Sequence, residues 1–98
     1  MGAETFFTKS RGNSPKAAFE KAVQEANYDY GHAGYTGTIA EKDSYQMASY
    51  VSLTMFEAQQ LADSLIDTPP YSDKWGPAGC LRVSDDPKIY FFFGWASS

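Results

Sequence analysis

Lys88-Ile89-Tyr90-Phe91-Phe92-Phe93-Gly94-Trp95 is the stretch on which the fold turns. The β-branched and aromatic run from Ile89 to Phe93 predicts a strand. Successive side chains of a strand point to opposite faces, so this one is apolar on both. An uncovered edge strand of that kind invites aggregation. It is therefore expected at the centre of a sheet, or buried in an oligomer. Working outward, Cys80 to Ser84 reads as its hairpin partner, joined through a turn at Asp85-Asp86-Pro87.

The remaining elements surround that hairpin. Ser14-Pro15 is a helix start, with Ser as N-cap and Pro at the first helical position. Phe19, Ala22, Val23, Ala26 and Tyr30 recur at spacings of three and four, giving one apolar face. Lys16, Lys21 and Glu25 fall toward the opposite face, and Gly31 sits where a C-cap glycine belongs. Thr54-x-x-Glu57 is a capping box that opens a second helix with a stripe of Ala58, Leu61, Ala62, Leu65 and Ile66. Pro69-Pro70 prevents its continuation. Glu4 to Lys9, Thr38 to Lys42 and Tyr45 to Ser52 read as strands, the last two around a turn at Asp43-Ser44. The expected fold is α+β, in the order β-α-β-β-α-β-β. An antiparallel-dominated sheet is expected, with both helices packed on one face.

A chain of 98 residues is one domain, 1–98, with 43% hydrophobic and 16% aromatic content. That composition belongs to globular chains. No apolar run reaches the roughly 18 residues of a membrane span. The opening MGAETFFTKS lacks the basic and apolar regions of a signal peptide. With one cysteine, Cys80, no intrachain disulfide forms, which suits a cytoplasmic setting. The net charge is −4. From Lys42 to Lys74 no basic residue occurs, while Asp43, Glu57, Asp63, Asp67 and Asp73 all fall there. Direct nucleic-acid binding is disfavoured, since it needs a basic footprint. An acidic face suits a partner protein with a basic surface.

The richest chemistry lies in YDYGHAGYTGTIAEK, Tyr28 to Lys42. It holds three glycines, three tyrosines, two threonines and the one histidine. Its G-x-x-G-x-x-G pattern lacks the Walker lysine. It also follows a helix and precedes a strand, the reverse of the Rossmann order. Backbone amides there would still suit an anion, with Tyr35 stacking on a base. His32 as a base toward Thr36, oriented by Glu41, is the one catalytic arrangement available. One His and one Cys far apart do not make a zinc site, and no cofactor motif is complete. A second cluster, Asp73 to Cys80, carries Trp75, which reads first as a core residue. With Trp95 it would bring two indoles near the glycine loop. The candidate binding residues are His32, Tyr35, Thr36, Glu41, Trp75 and Trp95; no catalytic or metal-binding residue is assigned.

The motifs YGHAGYTGTIAEK, DKWGPAGC and FFFGWAS, with the opening MGAETF, resemble small acidic proteins of phages, prophages and other mobile elements. The resemblance covers nearly the whole chain, with a variable middle over Asp43 to Ser72. That family brings no established activity or catalytic residues. What it implies is a context, in which small acidic accessory proteins inhibit host defence systems in the host cytoplasm. The first expectation is thus a non-enzymatic inhibitor of the anti-CRISPR type, occupying a basic surface of a host protein complex. The second is a nucleotide-binding module or signal-nucleotide sponge using the glycine loop. The third is a small enzyme using His32. A homodimer is compatible with the aromatic last strand.

Overall fold

The computed structural model describes residues 2–31, 35–49, 51–84 and 88–98. Strand β1 (Ala3–Arg11) leads into helix α1 (Pro15–Tyr30), a 3-10 turn (Ile39–Glu41) and strand β2 (Tyr45–Met47). Helix α2 (Met55–Leu65) follows, then strands β3 (Ala78–Arg82) and β4 (Ile89–Ser97). The fold is α+β, with strands and helices interleaved as the sequence pattern anticipates. The expected Asp85-Asp86-Pro87 turn lies outside the described residues.

The four strands lie in the order β1-β4-β3-β2. The aromatic strand β4 is central, as its two apolar faces require. It runs antiparallel to β1, from Ala3 opposite Ser97 to Arg11 opposite Ile89, and antiparallel to β3. Strand β2 runs parallel to β3, so the sheet is mixed. The reason is the connection. A helix between two neighbouring strands returns the chain to the same end of the sheet and makes the pair parallel.

The two helices cover opposite faces, not one. Phe6 of β1, Cys80 of β3 and Phe92 of β4 pack with Phe19, Ala22 and Ala26 of α1. The alternate residues Leu81, Phe91 and Phe93 pack with Ala58 and Ala62 of α2 and with Ile66 just beyond it. Strand order explains the split. The β1-α1-β2 connection crosses the sheet from one edge to the other, and β2-α2-β3 steps back. Right-handed crossovers in opposite directions place their helices on opposite faces.

Local signals set the helix ends. The Ser14 hydroxyl accepts from the Ala17 amide at 3.1 Å, and Pro15 occupies the first turn. Gly31 closes α1 with φ 82°, a conformation cheap only for glycine. At α2 the capping box is complete, with Glu57 N–H donating to Thr54 Oγ1 at 3.1 Å and Thr54 N–H to Glu57 Oε1 at 3.0 Å. Within the sheet, Phe93 lies directly over Gly79, its partner on β3, in space that any Cβ would fill.

The expected strand at Thr38 to Lys42 is instead the 3-10 turn. The Thr38 hydroxyl caps it by accepting from the Ala40 amide at 3.2 Å, and Ile39 is fully buried. The expected strand from Tyr45 is only three residues long. Beyond it the pairing resumes as one bridge, Leu53 with Val83.

Candidate functional site

Lys42 ends the 3-10 turn and is 4% exposed. Its Nζ donates to the carbonyls of Asp73, Lys74 and Gly76 at 3.4, 3.1 and 2.9 Å. Burial pulls its pKa down from the ordinary lysine value, partly opposed by the Asp73 carboxylate. The DKWG segment is thus a carbonyl cradle for a buried ammonium, which ties the 3-10 turn to the loop before β3.

Beside it, Glu41 Oε2 accepts from Thr36 Oγ1 at 2.7 Å and from the Thr36 amide at 3.1 Å. Thr36 Oγ1 also lies 2.8 Å from Thr38 Oγ1. Burial alone would raise the Glu41 pKa. The Thr36 hydroxyl and the Thr36 and Tyr35 amides outweigh it and hold the carboxyl below its usual value. The Thr36 amide and hydroxyl are thus both engaged by the Glu41 carboxylate.

The expected site residues are dispersed. Thr36 and Glu41 meet as described. Tyr35 is 61% exposed in a left-handed conformation, φ 58°. His32 lies outside the described residues. Trp75 does not enter the core; it is 68% exposed, with the Lys74 ammonium 5.4 Å from its ring centre. Trp95 is half-buried with the α2-side core. The two indoles make no ring contact among the described residues.

Cys80 is fully buried, and burial pushes its thiol up to about 12, against a small opposing effect of Arg82. A thiol so protonated and enclosed is a poor nucleophile. Among the described residues, no three His, Cys, Asp or Glu side chains gather as metal ligands.

Two open grooves flank α1. One, of about 660 Å³, lies between α1 and the 42–45 segment and carries charges of both signs. The other, of about 440 Å³, follows the outer edge of β1 along Glu4 to Ser10. Its lining includes Glu4, Glu25 and Asp29, together with Tyr30 and Thr36. Lys9 also lines it, but strand alternation puts that side chain on the α2 side with Thr5 and Phe7. The α1 side of the groove therefore carries three carboxylates. Of these, Glu25 lies 3.9 Å from the exposed Lys21 ammonium, and Glu4 and Asp29 have no ion pair of this kind among the described residues. Tyr28, Tyr30 and Tyr35 are exposed at or beyond the end of α1.

This groove was missed in the sequence, where Glu25 reads as part of a solvated helix face and Tyr30 as part of the buried one. Glu25 and Asp29, one helical turn apart, carried the signal. It needed the edge position of β1 to acquire meaning.

Searches of protein-family models, of curated proteins and of solved structures find no match to this chain. No helix among the described residues is long and apolar enough to cross a membrane.

Proposed function

We propose that this chain acts by binding, without chemistry of its own, to a partner protein that presents basic side chains. The observation that carries this is the convergence of Glu4, Glu25 and Asp29 on one groove, with exposed tyrosines beside it. Acidic walls attract and orient a basic segment, and tyrosines supply contact area at low entropic cost. The resemblance to phage and mobile-element proteins supplies the setting. There the partner would be a host defence complex in the cytoplasm, whose nucleic-acid-handling surface is basic. Occupying that surface would inhibit it.

The test is a calorimetric titration with a synthetic peptide in which lysine alternates with valine. Glu25→Gln combined with Asp29→Asn is expected to weaken binding by about tenfold. Added salt is expected to weaken the wild type and to narrow the difference. Equal affinity of variant and wild type would refute the acidic groove as the contact surface.

A further inference from the structure

The edge of β1 is an unfilled strand position. Gly2 and Ser98 exchange both backbone hydrogen bonds, at 2.9 and 3.1 Å, and the Gly12 amide donates to the Lys88 carbonyl at 2.8 Å. In an antiparallel ladder this phase assigns the inward peptide groups to even-numbered residues. The peptide groups of Thr5, Phe7 and Lys9 then point away from β4, into the groove. A nine-residue edge is long for a strand left open. The opposite edge, β2, has three residues.

We infer that the bound segment adds to β1 as a fifth strand, and that it is an extended stretch of another protein with Lys or Arg at alternate positions. This rests on the binding function proposed above and specifies its mode. Strand addition gives affinity through main-chain hydrogen bonds and specificity through alternate side chains. Side chains of the added strand that point to the α1 face meet Glu4, Glu25 and Asp29. Those that point to the other face meet Thr5, Phe7 and Lys9, where apolar groups suit the Phe7 ring, itself 6.1 Å from Phe91. The partner's pattern is therefore basic on one face and apolar on the other.

The experiment uses the intact chain and the alternating lysine–valine peptide, N-methylated along one edge and then along the other. One of the two methylated peptides is expected to lose at least about tenfold in affinity, while the other binds like the parent. Thr5→Pro, which removes an outward amide that strand β4 does not use, is expected to weaken the parent peptide similarly. Thr5→Val, which keeps the outward amide, is expected to lose much less affinity than Thr5→Pro. If both methylated peptides bind like the parent, strand addition is wrong, although an acidic groove sensitive to Glu25→Gln and Asp29→Asn would still stand. A chain that sediments as a dimer and becomes monomeric with Thr5→Pro would make the occupant a second copy and overturn the proposal.

Discussion

The two edges of the sheet end in different ways. Strand β2 is three residues long and sits beside a loop held by the buried Lys42 ammonium. Strand β1 runs the full length of β4, with its outer peptide groups facing an acidic groove. Short strands and local bends are ordinary protections of a sheet edge, and β1 has neither. Substitutions on the β2 side should therefore cost stability. Those on the outer edge of β1 should cost binding and little else.

The largest stability loss is expected from Gly79→Ala, whose added methyl would collide with the Phe93 ring. Overpacking of this kind costs about 1–3 kcal/mol or more, read as a shift in the urea midpoint. Lys42→Met should follow, at about 2 kcal/mol, because three carbonyls lose a charged donor. Its pH dependence has a definite sign. The folded-state pKa lies below the unfolded one, so the unfolded chain binds the proton more tightly. The wild type should therefore gain stability as pH rises through the folded pKa toward the unfolded value, and the Met variant should lack that gain.

Glu41→Gln should cost about 1 kcal/mol at neutral pH. Here too the folded pKa is the lower one, but for an acid the contribution is present above the unfolded pKa. It is lost as pH falls through the folded value. Wild type and variant should thus converge in acid unfolding curves. On the open edge, Thr5→Pro should cost less than about 1 kcal/mol, since no ladder hydrogen bond is removed. A large stability loss there, or unchanged peptide binding, would erase the contrast between the edges.

How far the sequence carries the structure depends on the range of the contacts involved. Ser14-Pro15, Gly31 and the Thr54–Glu57 box act within a few residues, and both helices were legible from them. The two-sided apolarity of Ile89 to Phe93 was enough to place β4 at the centre. The Thr38–Lys42 turn was not legible as such, because Lys42 finds its partners at Asp73 to Gly76. The faces of the two helices were not legible either. They follow from β4 inserting between β1 and β3, which no local pattern encodes. The candidate site shared that limit. Thr36 and Glu41 meet across five residues, whereas the groove exists only once β1 is an edge and the flank of α1 lies beside it.

Residue-resolved amide hydrogen exchange, with and without the lysine–valine peptide, tests strand addition most directly. The even-numbered amides of β1 are already bonded to β4 and should change little. Thr5, Phe7 and Lys9 should gain protection together when the peptide is bound. Binding that leaves those three amides as exchangeable as before would contradict it.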